Sequence, residues 1–284
     1  MPYVPTVRGR RLAHELRRIR ERAGLSGEQA ARALGWDQSK ISRMETARMR
    51  ITSGEVVALC EVYAVEGEER EELVQLAREA RLQGWWHPYR DVLKPGFSQF
   101  LSFEAEALTY RSYEALVIPG LFQTGDYARA VLRGTRSRTP EEIERGVRVR
   151  LARQERVTRS TDPLHVWQII EEGALLRMVG GPKTMREQLE HLLELGSLAN
   201  VSLQVLPFTA GVHAAIDGPF VLLTFGGYPD VLYMEHLLGC VYLENPEETT
   251  AAKMIFDHLR AAALNTGDSA ALIRDRIKEI DRSA

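Results

Sequence analysis

Cysteine is nearly missing: Cys60 and Cys240 are the only two in 284 residues. They fall in what read as different domains. Reduced, buried thiols in a cytoplasmic protein are therefore expected, with a disulfide as the lesser reading. Two separated cysteines also rule out a zinc finger. Long apolar runs are missing too, and a run such as Phe220–Phe225 is far too short to span a bilayer. The first residues carry no apolar stretch behind their basic ones, so no secretory signal and no membrane association are expected. Glycine-rich phosphate loops do not occur. Gly180-Gly181-Pro182 lacks the lysine and the spacing, and Gly226-Gly227 reads as a hairpin turn. No serine sits in a nucleophile elbow. Glu171-Glu172 reads as a charge pair at a helix start rather than a catalytic dyad. His213, Asp217, Glu235 and His236 lack metal-ligand spacing. The expectation is a protein with no catalytic residue, no cofactor and no metal.

What is present is ordinary globular composition, 27% charged and 44% hydrophobic, at a length that allows two domains. The net charge of −2 does not suggest a polyanion partner. Its distribution does. Arg8–Arg50 holds twelve basic residues against five acids, a net of +7, whereas Ile51–Arg81 holds three against eight, a net of −5. Basic charge gathered at one end is the footprint that phosphate requires. The plain reading of the same charge is a solvated arginine-rich helix that touches nothing.

Residues 1–81 read as a small helical bundle after an arm containing Pro2 and Pro5. Leu12, Leu16, Ile19 and Ala23 recur at helical steps within Arg10–Ala23, and Gly24 ends that helix. Ser26 and Gln29 form a capping-box pair opening a second helix, Gly27–Leu34, which Gly35 turns. Asp37 caps a third, Gln38–Thr46, with Ile41 and Met44 inward. Helices at about Ser53–Val62 and Glu68–Arg81 close the bundle. LSGEQAARALGW at Leu25–Trp36, followed by SKISRMETAR at Ser39–Arg48, resembles the Xre and phage-repressor (lambda repressor, Cro) type of helix-turn-helix domain. That resemblance covers roughly Arg10–Val65 and implies a five-helix fold. It also implies an internal ion pair between Arg20 and Glu45. One departure is Ala47, where such domains usually have glycine.

A recognition helix lays its N-terminal side chains on base edges in the major groove. Here those are Gln38, Ser39, Lys40, Ser42 and Arg43. Glutamine suits adenine and arginine suits guanine. Ser26 at a helix start, with Arg48 and Arg50 just past the third helix, suits backbone phosphate. The expected partner is double-stranded DNA, bound by a homodimer.

Leu82–Phe97 changes character, and residues 82–96 read as a linker. Trp85 and Trp86 are too apolar for a free tether and are expected to pack the domains together or to line the second. Residues 97–284 read as an α+β domain. Helices are predicted at Phe97–Leu108, to Leu132, Glu141–Thr158, Met185–Leu198, Pro246–Leu264 and Ala270–Asp281. Strands are predicted at Tyr110–Leu116 and Leu164–Ile170, and then at Val201–Pro207, Phe220–Phe225, Val231–Glu235 and Cys240–Leu243, these last four in what looks like an antiparallel run. A pocket is predicted where the Thr209–Phe220 loop closes over a ligand and Pro119–Gln123 faces it, lined by Phe122, Tyr127, His213, Phe220, Tyr233 and Glu235. The competing reading makes these residues ordinary fold determinants.

Four phrases of this region occur together: IPGLFQTGDYARAVL (Ile118–Leu132), RQERVTR (Arg153–Arg159), LPFTAGVHAAIDGPFVLLTF (Leu206–Phe225) and VLYMEHLLGCVYLE (Val231–Glu244). The combination resembles the actinobacterial WhiJ-like, or antitoxin-like, regulators. The resemblance implies transcription control, often beside a small partner protein, and no catalytic residue. Two functions are expected from it. One is an operator-binding regulator whose C-terminal domain receives a small-molecule or small-protein signal. The other is an antitoxin-like module that binds a small partner and controls its own operon.

Overall fold

The computed structural model describes residues 6–82, 84–135, 138–237 and 239–283. The arm with Pro2 and Pro5 lies outside them. Two compact units make up the chain: Met1–His87 with Gln99–Glu106, and Pro88–Ser98 with Ala107–Ala284.

The first unit is helical: α1 (Val7–Arg22), α2 (Gly27–Leu34), α3 (Gln38–Glu45), α4 (Ser53–Val62), α5 (Gly67–Glu79) and most of α6 (Phe97–Glu106). Capping side chains fix the starts. The Thr6 side chain accepts from Gly9 N–H, so α1 begins three residues before the periodicity alone indicates. Ser26 with Gln29, and Thr52 with Glu55, form complete capping boxes. The ends of α1 to α4 share one device. A residue with positive φ follows each helix, at Gly24 (70°), Gly35 (64°), Ala47 (51°) and Ala64 (54°). The next N–H then reaches back to a carbonyl five residues earlier: Leu25 to Arg20, Trp36 to Ala31, Arg48 to Arg43 and Val65 to Cys60. These are Schellman ends, and two of them place alanine where glycine is unstrained.

Leu12, Leu16, Ile19, Ala30, Ala31, Ile41, Met44, Val56, Leu59 and Cys60 form the core of this unit. Each fully buried Leu or Ile side chain contributes about 1.5–3 kcal/mol. Burial pushes the Cys60 thiol pKa up. α6 was expected at the head of the second region, yet Gln99–Glu106 belongs to the first unit. The Val7 N–H donates to Ser102 Oγ at 3.1 Å, and Arg8 pairs with Glu106 at 2.8 Å. Trp86, buried, and Trp85, exposed, meet edge to face within this unit, centroids 5.7 Å apart.

The second unit is built on a six-stranded sheet of order β3-β2-β1-β4-β5-β6. Its strands are β1 (Thr109–Glu114), β2 (His165–Glu171), β3 (Val201–Leu206), β4 (Phe220–Thr224), β5 (Val231–His236) and β6 (Gly239–Leu243). β1, β2 and β3 pair in parallel, while β4, β5 and β6 continue antiparallel from the other side of β1. The fold is thus α+β, but half of the sheet is parallel, which corrects the antiparallel expectation. α7 (Gly125–Thr135) and α8 (Pro140–Thr158) lie between β1 and β2. A short α9 (Glu172–Leu176) and then α10 (Pro182–Gly196) lie between β2 and β3. Parallel strands need such crossovers.

α11 (Pro246–Ala262) sets Ala252, Phe256 and Leu259 against Tyr113, Phe220, Leu222 and Leu232 on one sheet face. α12 (Thr266–Ser283) completes the chain. β3 is an edge strand, and the α11–α12 connection with the first turn of α12 satisfies it: Val205 N–H donates to Ser269 Oγ at 2.9 Å, and Leu264 N–H to Val205 O at 2.9 Å.

Candidate nucleic-acid interface

α3 has two unlike sides. Ile41 and Met44 are about 1% exposed and point into the bundle. Gln38, Ser39, Ser42 and Arg43 are all exposed. The pairs 38/42 and 39/43 are each one helical turn apart, so the four form one contiguous strip. The Asp37 carboxylate accepts the Ser39 N–H at 2.7 Å and fixes the start of the strip. Hydrogen bonds from Ser39 hold that carboxyl below its usual range. Arg43 Nε returns to Ser39 O at 3.2 Å.

The orientation of α3 rests on a clamp. Arg20 Nε and Nη2 donate to the two Glu45 oxygens at 2.6 and 2.8 Å, and Nη1 donates to Leu25 O at 2.6 Å. The two side chains are 11% and 10% exposed. Paired guanidinium and carboxylate in this fork geometry lock α1, α3 and the α1–α2 connection together. The hydrogen bonds to Glu45 raise the Arg20 pKa against the opposing effect of burial.

The other predicted contacts divide. Ser26 lies exposed at the N-terminus of α2, its Oγ accepting Gln29 N–H at 3.1 Å. Arg48 and Arg50 are exposed beyond α3. Lys40 is placed differently. Its Nζ sits 3.8 Å from the Trp36 ring centroid and 2.8 Å from Glu55, half-buried between α3 and the start of α4. It braces the interface from within, and the strip lacks it.

Charge pairing sharpens the picture. Arg17 and Arg22 are matched by Glu21 and Glu69, Arg18 by Glu15, and Arg32 by Glu28. Arg43, Arg48 and Arg50 have no carboxylate partner among the described residues. Uncompensated positive charge is therefore available along and just past α3, where a phosphodiester backbone would run.

In the second unit the six predicted pocket residues do not gather in one place. Phe122 and Tyr127 are completely buried. Tyr127 Oη accepts the Ile118 N–H at 3.1 Å, and Gln123 Nε2 donates to Ile118 O at 2.7 Å. Phe220 and Leu222 share the α11 face with Leu232. Strand alternation then puts Tyr233 and Glu235 on the opposite face. Tyr233 donates to Glu235 at 2.8 Å, and Glu235 is paired with Lys94. His213 stands on the Tyr113 side. Tyr113 Oη donates to Glu171 at 2.5 Å and lies 3.3 Å from His213 Nε2. His213 Nδ1 accepts from Ala215 N–H at 3.3 Å, which leaves the neutral ring's proton on Nε2. Burial and then Glu171 push the Tyr113 phenol up.

No group of three or more His, Cys, Asp or Glu side chains among the described residues is placed to hold a metal ion. No described helix is long and apolar enough to cross a membrane.

The two parts match separate family models. Residues 11–73 match a helix-turn-helix domain. Residues 97–275 match the domain of unknown function DUF5753, more than half of the chain. The chain belongs to the DUF5753 family. No curated protein and no solved structure matches it. Within the DUF5753 part, the residue that sequence reasoning missed is Gln188. It is 0% exposed on α10; its Oε1 accepts Thr124 N–H at 2.7 Å and its Nε2 donates to Phe122 O at 2.7 Å. Gln154 adds a bond to Gln123 O at 2.6 Å. The Ile118–Tyr127 phrase of this DUF5753 domain is therefore a stapled turn. A signal for it existed: Gln188 interrupts the apolar face made by Met185, Leu189 and Leu192.

Proposed function

We propose that this DUF5753-family chain is a sequence-specific DNA-binding transcription regulator and not an enzyme. It reads operator DNA with α3. The observation that carries this reading is the exposed strip Gln38, Ser39, Ser42 and Arg43, held by the Arg20–Glu45 clamp and flanked by uncompensated Arg48 and Arg50. The strip supplies hydrogen-bonding groups for base edges, and the flanking arginines supply backbone contacts. Ser26 at the start of α2 adds a phosphate contact. One such head gives modest affinity, so the chain acts as a homodimer on half-sites about one helical turn apart. The second unit receives the signal that sets occupancy.

Arg43→Ala tests the reading. Specific affinity falls by about 1–3 kcal/mol, while affinity for random duplex changes far less. Equal losses on both duplexes make Arg43 a phosphate contact only, and the reading edge then lies elsewhere.

A second reading, an antitoxin-like module that binds a small partner protein, draws on a different observation. Leu116, Leu176, Met178, Phe208, Val212 and Ile216 are all exposed, on segments that follow β1, β2 and β3. Arg177 Nε bonds Leu116 O at 2.9 Å, and Phe208 N–H bonds Glu172 at 2.8 Å, which draws these segments together. Gathered apolar exposure of this kind suits a protein partner. A stoichiometric small protein that co-purifies with the wild type, and is lost with Ile216→Glu, supports this reading; co-purification unaffected by that change argues against it.

A further inference from the structure

The segment that carries Arg48 and Arg50 hangs between two helices. Its residues alternate. Ala47, Met49 and Ile51 pack toward the core of the first unit, while Arg48 and Arg50 are exposed. One end is fixed to α3 by the bond from Arg48 N–H to Arg43 O, 2.8 Å. The other is fixed to α4 by its capping box, in which Glu55 Oε2 accepts from Thr52 N–H at 2.8 Å and from Thr52 Oγ1 at 2.9 Å. Where the two arginines stand relative to the α3 strip therefore depends on how α3 is held against the start of α4.

Lys40 spans that gap. Its ammonium takes the other Glu55 oxygen, Oε1, at 2.8 Å and lies 3.8 Å from the Trp36 ring centroid. One carboxylate thus serves both helices, Oε1 toward α3 and Oε2 toward the cap of α4. The Lys40 and Glu55 side chains are 27% and 19% exposed, which spares the pair part of the solvent screening. Burial works against the charge on Glu55, yet hydrogen bonds from Lys40 and Thr52 hold its carboxyl below the usual range. To reach a phosphate, Lys40 would have to leave both the carboxylate and the ring.

We infer that Lys40 is a positioning residue for DNA recognition: through Glu55 it sets the spacing between the base-reading strip and Arg48–Arg50, so that base and backbone contacts form together. The inference rests on the regulator reading above. Contacts held in advance lose less freedom on binding. Random duplex is bound through charge and draws little from that spacing.

The two roles open to Lys40 differ in sign. Glu55→Gln keeps an acceptor for the capping box, removes the lysine's counter-charge and makes the head more positive. A positioning Lys40 predicts that this variant binds about tenfold more weakly to a duplex recovered by genome-wide binding-site mapping. A phosphate-binding Lys40, set free, would bind it more tightly. Lys40→Met is expected to lose about tenfold on the same duplex and less than about twofold on random duplex. Its slope of log affinity against log salt is expected to match wild type, whereas a lost phosphate contact would lower the slope by about 0.9. Without DNA, hydrogen exchange is expected to quicken at Thr52–Glu55 in both variants and to keep the wild-type rate in α1, which shows the bundle intact. A wild type that prefers no duplex sinks the regulator reading and this inference with it. A wild type that does prefer one overturns the inference alone under any of three results: undiminished binding by Glu55→Gln, a reduced salt slope for Lys40→Met, or unchanged exchange at Thr52–Glu55.

Discussion

The two units are held by polar contacts of different reach. In the first, most of the decisive hydrogen bonds join residues three to five apart: Ser26 to Gln29, Thr52 to Glu55, and the four Schellman ends. In the second, side chains reach main chain far away in sequence. Gln188 bonds at residues 122 and 124, Gln154 at 123, Arg156 at 107 and Arg177 at 116. Local contacts make a small bundle that one sequence window nearly determines. Distant contacts make a scaffold whose turns are fixed only once the sheet is assembled. The first design suits a reading head whose helix ends are settled locally. Both leave an interior polar atom without a hydrogen-bond partner among the described residues, Tyr63 Oη in the first and Gln168 Oε1 in the second.

The largest expected effect attacks the long-range clamp that holds α3 to α1. Glu45→Ala leaves Arg20 half-enclosed without its two-pronged partner, with only the exposed Glu21 at 3.8 Å. A loss of about 3–5 kcal/mol is expected from denaturant unfolding of the first unit. A loss under about 1 kcal/mol would make the pair an ordinary solvent-screened one.

Next is the corresponding staple in the second unit. Gln188→Ala strands the Thr124 N–H and the Phe122 carbonyl and opens a void. About 2–4 kcal/mol is expected, with faster hydrogen exchange concentrated at Thr124. Uniform exchange changes across the unit would show that the turn is not held locally.

Smaller, and of opposite sign, are Ala47→Gly and Ala64→Gly. Each relieves a left-handed alanine, set against the larger freedom of unfolded glycine. A net gain of about 0.5–1 kcal/mol apiece is expected in melting experiments. A loss at either position would mean that the methyl group packs usefully.

The smallest effect is a slope. Burial holds the Glu114 carboxyl above its ordinary range, although it accepts N–H groups of Ala115 and Leu116. A raised folded pKa means tighter proton binding in the folded state. Its contribution to stability is therefore complete below the ordinary carboxylate range, about pH 4, and is lost as pH rises through the raised value. Glu114→Gln keeps an acceptor and cannot ionise. It is expected to match wild type in acid and to exceed it near neutrality. Parallel pH profiles for the two proteins would remove the claim.

What the sequence disclosed follows the same division. α2 and α4 occupy their expected ranges, and α3 ends one residue early, because caps and glycine positions are local signals. The strands also lie near their expected places. Their parallel pairing was not legible, since a crossover and a long hairpin connection present the same alternation. Which unit α6 joins was equally hidden, because an apolar face does not name its partner. The pocket failed as one place for a reason of period. Tyr233 and Glu235 fall out of step with Phe220 and Leu222 once β4 and β5 are paired Leu222 to Leu232. The position of Lys40 depended on Trp36 and Glu55 meeting, a contact that only the folded bundle reveals.

The central claim is that α3 reads bases. Its most direct test is affinity of the full chain, over a range of salt, for the best duplex recovered by genome-wide binding-site mapping and for a scrambled duplex of the same length. The account predicts that the selected duplex is bound about a thousandfold tighter or more near physiological salt, with both affinities falling as salt rises. Equal affinity for the two duplexes at every salt concentration would contradict it.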